Sequence, residues 1–176
     1  MVYVGVASPK KSIKSESTGA AFIWGVGATT MFPTASGEVL GTGKYSLGPT
    51  AVVGYLGPKW TLGVFPQHWW SVGGHSKRDD VSRTNIQHFV FCAPPWDPEA
   101  QWRIGMIPNI SINWKAKGDK TTLPIGLGIG RMIEIGSLPV QIHFEADYSA
   151  IHPGDKFGSR WDFRAYFIPV IPTCMF

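Results

Sequence analysis

Four side chains with catalytic potential alternate along one segment near the C-terminal end of the sequence: His143, Glu145, Asp147 and Ser149. A histidine, a carboxylate and a serine make up a hydrolytic triad, so a membrane-embedded hydrolase is one hypothesis. A triad needs side chains that converge from several elements, whereas these stand about 7 Å apart at each step on one strand face. We therefore favour a structural role in which the carboxylates pair with Arg103 or Arg164 in a polar interior.

Two glycine-rich stretches resemble nucleotide-binding loops only superficially. The segment 37–44 fails the phosphate-loop spacing at its first glycine, and a tyrosine follows where Ser or Thr is required. Gly126, Gly128 and Gly130 alternate on one strand face and no helix follows them, so small residues facing a narrow interior explain them better.

The two cysteines, Cys92 and Cys174, lie far apart and form neither a metal-ligand spacing nor a disulfide framework. The sequence therefore predicts no metal site, no cofactor and no catalytic residue, and we expect a protein that is not an enzyme.

The elements that position these residues have a hydrophobic period of two. Between Trp102 and Lys115 the even positions are apolar and the odd positions mostly polar. The same alternation continues to the C-terminal end, while 84–92 is ambiguous because apolar residues point both ways. We predict an all-β chain of eight antiparallel up-and-down strands near residues 20–32, 44–56, 60–72, 84–92, 102–115, 121–135, 139–151 and 159–170.

Strand length and loop length favour a transmembrane β-barrel. Membrane strands need about 9–11 residues, whereas strands of soluble proteins have about 5–6. Short turns at 56–59 and 136–139 alternate with long polar loops at 33–44, 73–83 and 152–160. Outer-membrane barrels have short periplasmic turns and long exterior loops, which places the end of this chain in the periplasm.

Aromatic residues mark both ends of the apolar faces. Trp60 and Trp70 would stand roughly 25 Å apart along the membrane normal, which is the height of the apolar band of such barrels. The predicted aromatic girdle comprises Tyr55, Trp60, Trp70, Trp102, Trp114 and Trp161.

The polar faces of the same strands would line the interior. Candidate lining residues are Arg103, Asn109, Asn113, Gln141, His143, Glu145, Asp147, Asp162 and Arg164. Ionisable residues at odd positions fix the register of the segment 140–151, so its even residues must point outward: Val140, Ile142, Phe144, Ala146 and Tyr148. Arg131 falls on the apolar face, where it would snorkel to the interface or be rotated by a β-bulge.

Composition agrees with this interpretation. Charged residues make up 16% of the chain, below the average of about 25% for soluble domains. No run of about 18 apolar residues could form a transmembrane helix. The net charge of +4 is not clustered with stacking aromatics, which argues against nucleic-acid binding. The expected partners are outer-membrane lipids and a small hydrophobic substrate.

Several stretches resemble a known family: IWGVGATTMFPTASGEVLGTGKYSLGP, QHWWSVGG, ISINWKA and LPIGLGIGRMIEIGSLPVQI. They look like outer-membrane proteins assigned to a phenol meta-pathway transporter family, some relatives of which carry the label neuromedin U. The resemblance covers about residues 22–167. It implies a Gram-negative outer-membrane location and a role in passing small hydrophobic or aromatic compounds, and it supplies no catalytic residues.

The N-terminal region departs from that family, whose members carry a cleavable signal and further strands. No signal peptide follows Met1. We expect one domain over 1–176, with a partial strand at 1–7, a periplasmic turn at 8–19 and the eight-strand meander at 20–170. The chain would then be a truncated barrel, or a complete eight-stranded barrel with a free N-terminal tail.

Three functions stay open within this fold. The favoured one is a porin-like channel or transporter for small hydrophobic or aromatic compounds. If only eight strands close, side chains fill the interior and the protein is a structural barrel without a pore. The third is an outer-membrane enzyme that modifies lipid. A soluble ligand-binding barrel is disfavoured, because its outer face would be polar.

Overall fold

The computed structural model describes residues 3–5, 13–15, 20–34, 41–99, 101–136, 138–153 and 160–169. Every regular element in these ranges is a β-strand, and no helix there is long and apolar enough to cross a membrane. The strands are β1 (Tyr3–Gly5), β2 (Ile13–Ser15), β3 (Ala20–Met31), β4 (Lys44–Leu56), β5 (Trp60–Gly74), β6 (Ser82–Cys92), β7 (Trp102–Met106), β8 (Asn109–Asn113), β9 (Thr121–Ile135), β10 (Leu138–Ile151) and β11 (Trp161–Pro169).

All eleven strands belong to one antiparallel sheet whose order is β1-β3-β4-β5-β6-β7-β9-β10-β11. Strands β1 and β2 both pair with β3, and β7 and β8 share the position between β6 and β9. Each position is occupied by the next strand along the chain, so the sheet is an up-and-down meander. The predicted all-β antiparallel architecture is confirmed, and seven of the eight predicted strands lie within two residues of their expected bounds.

The N-terminal region extends the sheet by one position beyond β3. Tyr3 lies opposite Met31, so the expected extended segment at the N-terminus is found where the structure describes it, at Tyr3–Gly5. The expected turn over 8–19 is wrong at Ile13–Ser15, which pairs with Ala20–Phe22. This pairing satisfies backbone groups at the start of β3 that a long turn would leave open. The rest of 8–19 lies outside the described residues.

The segment predicted as one strand, 102–115, is divided in two. Strand β7 ends at Met106 and β8 begins at Asn109, and the strand finishes at Asn113. Pro108 explains the division, because proline has no N–H to donate to a sheet ladder. On the β6 side the register is the same before and after the break, with Val90 opposite Met106 and Gln87 opposite Asn109.

The two faces of the sheet differ sharply in burial. We call the face that carries His143, Glu145 and Asp147 the inner face and the opposite one the outer face. These three side chains are 0%, 3% and 1% exposed, whereas Phe144 and Phe163 on the outer face are 59% and 76% exposed. The predicted orientation of β10 is therefore confirmed at its centre. In the described residues the outer face exposes most of the large apolar side chains.

Two residues of the outer face bear on the predictions. Val140, which the sequence predicts to point outward with its side chain exposed, is fully buried, and its neighbours in the sheet are Ile133 and Pro169. Arg131 stays on the outer face with no bulge around it, since the register with β10 runs through it unbroken. Its guanidinium lies 5.2 Å from the centre of the Trp102 ring and donates a hydrogen bond to Gln101 at 3.3 Å.

The ambiguous strand β6 is resolved by its register. Phe91 lies opposite Thr61 and Gly105, is 8% exposed and belongs to the inner face. Ile86 and Val90 have the opposite parity and lie on the outer face. Phe91 therefore packs on the inner face of the sheet.

Candidate functional site: a charged cluster on the inner face

The inner face of β9, β10 and β11 brings three residues, one from each strand, into register at each of three successive levels. Along β10, His143, Glu145 and Asp147 lie opposite glycines of β9, at Gly130, Gly128 and Gly126 respectively. On the other side the same three residues lie opposite Tyr166, Arg164 and Asp162 of β11. We call the six side chains of β10 and β11 the charged cluster: His143, Glu145, Asp147, Asp162, Arg164 and Tyr166.

The glycines of β9 create the space that the β10 side chains occupy. A Cβ atom at Gly128 would lie 2.5 Å from His143 Nε2, and one at Gly130 would lie 2.8 Å from His143 Nδ1. Such distances are too short for any side chain, so the His143 ring and its neighbouring carboxylates lie flat across a strand that has no side chains there. The three glycines therefore lie on the inner face, directly against the side chains of β10.

Arg164 is the hub of the cluster. Its guanidinium forms an ion pair with Asp147 and donates to Asp162 Oδ2 at 2.9 Å. It also donates to the Tyr166 hydroxyl at 3.0 Å and to the Ile107 carbonyl oxygen at 3.3 Å. The fork geometry of arginine suits this use, because several N–H groups diverge from one planar cation. Of the two arginines that the sequence predicted as partners for the carboxylates of β10, Arg164 is the one that forms an ion pair with Asp147.

Glu145 reaches across β9 to the break between β7 and β8. Its carboxylate accepts a hydrogen bond from the backbone N–H of Ile107 at 2.7 Å. The nearest approach to His143 is 3.6 Å, between Nε2 and Glu145 Oε2, which is longer than a hydrogen bond. Within the described residues neither His143 ring nitrogen has a hydrogen-bond partner. The ring instead packs edge to face on Phe91, with centroids 5.3 Å apart.

The remaining predicted lining residues are dispersed along the inner face. Arg103 and Gln141 lie together in a small cavity of about 170 Å³ that also contacts Phe91 and Met132. Asn109 and Asn113 are half-buried in β8. Asp162 is held by Arg164, although its side chain is 64% exposed.

The predicted girdle residues lie on the outer face as expected. Exposed side chains are found at Tyr55, Trp60, Trp70, Trp114 and Trp161, while Trp102 is half-buried beside Arg131. Trp114 donates its indole N–H to the Thr84 hydroxyl at 2.8 Å, and that hydroxyl lies 2.7 Å from His68 Nδ1. Since an indole nitrogen only donates, Thr84 accepts from Trp114 and can donate to His68. Trp114 therefore belongs to a hydrogen-bonded polar group on the outer face that sequence patterns did not indicate.

A polar cavity of about 840 Å³ lies at the end of the sheet where the long loops 75–81 and 114–120 meet. Its charged lining residues are two acids and five bases: Asp79, Asp80, Lys77, Arg78, Arg83, Lys115 and Lys117. Asp80 accepts hydrogen bonds from Lys44 Nζ and from the Ser71 hydroxyl, both at 3.3 Å. The Lys44 ammonium holds the pKa of the Asp80 carboxyl below its usual range. This loop cavity therefore carries an excess of basic over acidic side chains.

Sequence reasoning missed three parts of the site. It did not find the break at Ile107, although a proline inside a predicted strand is a signal for one. It did not anticipate that Tyr166 joins Arg164, or that the basic loops converge. The last could have been suspected, because alternate connections of an up-and-down antiparallel sheet lie at the same end of the sheet.

Comparison of the chain with protein-family models, with curated proteins and with solved structures found no match. The functional argument therefore rests on the geometry described above.

Proposed function

We propose that this chain forms the wall of a bacterial outer-membrane β-barrel that passes small hydrophobic or aromatic compounds. One observation carries the proposal. Neighbouring residues of β10 alternate between an exposed aromatic ring at Phe144 and a buried carboxylate at Glu145, which reverses the arrangement of a water-soluble protein.

The outer face supports membrane insertion through its chemistry. Soluble monomers rarely expose continuous apolar patches of more than a few hundred Å². Here strands β3, β4, β5, β9, β10 and β11 each contribute exposed apolar side chains, among them Trp24, Leu47, Leu127 and Phe167. Strands β3, β4, β5, β6, β9 and β10 have 11 to 15 residues, which is enough for the roughly 9–11 that a bilayer requires. Closure into a barrel would remove the free edges that a bilayer does not tolerate.

The substrate class is supported by the resemblance noted above, and by an interior that is not a wide aqueous channel. Trp69 is fully buried on the inner face, where its indole donates to Thr29 at 3.2 Å. Phe91 and His143 fill the same face further along the sheet. Such packing suits slow passage of small compounds better than free diffusion of large polar solutes.

The same packing favours a second candidate, a structural barrel without a pore. Small barrels of about eight strands have interiors that side chains fill completely. The two functions differ in one measurable property, the flux of solutes across a membrane that contains the protein.

The test is reconstitution of the full chain into vesicles whose outer leaflet contains lipopolysaccharide. Heat-modifiable migration in detergent gels should accompany insertion. We expect faster entry of phenol and toluene than into protein-free vesicles, with little release of trapped sucrose. Insertion without any such entry would instead support the structural barrel. A chain that stays in the aqueous fraction and shows no heat-modifiable form would overturn the membrane proposal.

A further inference from the structure

The unbalanced positive charge of the chain is concentrated around the loop cavity between the connections 75–81 and 114–120. The described lining carries five basic and two acidic side chains, and Lys44 pairs with one of the acids, Asp80. Six bases against two acids leave an excess of four, which equals the net charge of +4 for the whole chain. The remaining basic and acidic residues of the sequence are therefore equal in number.

Arg83 is the basic residue that the sheet itself contributes to the cavity. It has the same parity along β6 as Phe91, so it lies on the inner face, between Trp69 of β5 and Asn113 of β8. Its side chain is half-buried, and within the described residues its guanidinium has no hydrogen-bond or ion-pair partner. A partly desolvated cation without a counter-ion is costly, so an anion bound in the cavity would stabilise it.

The loop 75–81 is held in place by its neighbour in the sheet. The His75 N–H donates to the Gly43 carbonyl oxygen at 3.0 Å, and the Arg78 N–H donates to the His75 carbonyl oxygen at 3.1 Å. The Arg78 side chain lies across Gly43, where an added Cβ atom would be 3.2 Å from Arg78 Cγ. This wall of the cavity is therefore a packed and hydrogen-bonded turn.

The loop 114–120 forms the facing wall and is also closed by hydrogen bonds. The Asn113 N–H donates to the Lys120 carbonyl oxygen at 2.8 Å, and the Asn113 carbonyl oxygen accepts from the Ala116 N–H at 3.2 Å. The Asn113 side chain accepts from the Lys115 N–H at 3.2 Å. The backbone that carries Lys115 and Lys117 is thus ordered without a ligand, which lowers the entropic cost of binding one.

We propose that the loop cavity is a binding site for a small oxyanion of the phosphate or carboxylate kind that carries more than one negative charge. Arg83 binds one oxyanion group with its fork of N–H donors. Lysines at 77, 115 and 117 supply further positive charge from the loops. Asp80 offers little opposition, because it is already engaged by Lys44 and Ser71. The volume of about 840 Å³ lies within the range of roughly 300–1,000 Å³ for small-molecule sites.

Isothermal titration of the full chain with inorganic pyrophosphate, in uncharged detergent micelles, tests the site. Arg83→Gln and Lys115→Gln each remove one positive charge from the cavity. The matched controls remove one charge elsewhere. Arg103→Gln changes another half-buried arginine of the inner face, opposite Gly130, and Lys59→Gln changes an exposed lysine in the turn at the other end of the sheet.

We expect saturable binding that Arg83→Gln weakens about tenfold, since a hydrogen-bonded charge pair is lost, and that Lys115→Gln weakens several-fold. The two controls should bind as the unchanged protein does. Lys115 is exposed on a loop, so its variant tests the site even if Arg83→Gln impairs folding. Absence of saturable binding, or equal weakening by the cavity variants and the controls, would overturn the site, because only general attraction to a cationic chain would remain.

A second arm distinguishes a free solute from a lipid headgroup as the source of the oxyanion. The titration is repeated in nanodiscs that contain lipid A and in nanodiscs with the same phosphate content as phosphatidylglycerol. Weaker pyrophosphate binding in the lipid A discs alone identifies a lipid phosphate as the occupant, whereas equal binding identifies a free solute. Only this arm depends on the membrane location given under the proposed function. Binding in micelles does not require solute flux, so the site and the proposed function can fail separately.

Discussion

The rings of His143 and Phe91 meet edge to face, with centroids 5.3 Å apart and planes at 87°, although β10 and β6 are separated by two strand positions. The two strands between them contribute Gly105 and Gly128, which lie opposite each other. Without side chains at these positions, the inner face is open enough for the two rings to touch. The absence of side chains at Gly105 and Gly128, and not their backbone flexibility, therefore allows the inner face to pack in this way.

Gly128→Val should destabilise the folded protein. Its first added atom would lie 2.5 Å from His143 Nε2 and 2.5 Å from the Phe144 carbonyl oxygen, and the backbone cannot move aside. Overpacking of this kind costs about 1–3 kcal/mol. Urea titration of the protein in vesicles measures the change. Gly73→Ala is the control, since nothing lies within 4 Å of a Cβ there, and equal effects of the two variants would contradict this account of the glycines.

Much of this sheet could be predicted from the sequence, because alternation specifies which face each residue occupies. The orientation of Phe144 and Glu145 follows from period two alone. Pro108 signals the break beside Ile107, but the hydrogen bonds of Ile107 with Glu145 and Arg164 could not be predicted, since they depend on side chains of β10 and β11 reaching over a glycine of β9. Burial of Val140 also depends on cross-strand neighbours, which no local pattern specifies.

Arg164→Met should destabilise the protein more than the pair of changes Arg164→Met and Asp147→Asn. Asp147 is 1% exposed, and loss of its arginine leaves a buried charge without compensation, at a cost of about 3–5 kcal/mol. Asparagine removes that charge while keeping the shape, so the double variant should recover part of the loss. Unfolding by urea measures all three proteins. A double variant less stable than the sum of the single changes would show that charge compensation is not the role of Arg164.

The Lys44–Asp80 contact should persist at every pH above the ordinary value of 3.8 for an aspartate. The carboxylate is the form that accepts the hydrogen bond from Lys44, and its pKa is lowered for that reason. The stabilisation is therefore complete above the unfolded pKa and is lost only as the pH falls through the lower pKa of the folded state. Carboxyl ¹³C NMR of the protein in micelles follows the titration directly.

The matching variant is Lys44→Met, which should move the midpoint of the Asp80 titration upward toward the ordinary value. Ser71→Ala removes the second donor and should produce a smaller upward movement, because a neutral hydroxyl stabilises a carboxylate less than an ammonium does. A midpoint that does not respond to Lys44→Met would mean that another charged group lining the loop cavity lowers the pKa of Asp80.

Phe144→Asp should block assembly into membranes, whereas Glu145→Gln should only weaken it. Phe144 is 59% exposed on the outer face and lies between Ile129 and Ala165 in the sheet. If that face contacts lipid, a carboxylate there costs on the order of a few kcal/mol, because no water or partner compensates it. Glu145→Gln keeps an oxygen that can still accept the Ile107 N–H, so the inner hydrogen bond survives in a neutral form.

Phe144→Leu is the control for lost aromatic packing and should assemble normally. The fraction of heat-modifiable protein after refolding into vesicles gives the measurement for each variant. A soluble protein would give the opposite order: an exposed aspartate would be tolerated and even improve solubility, and the variant at Glu145 would be the more damaging of the two.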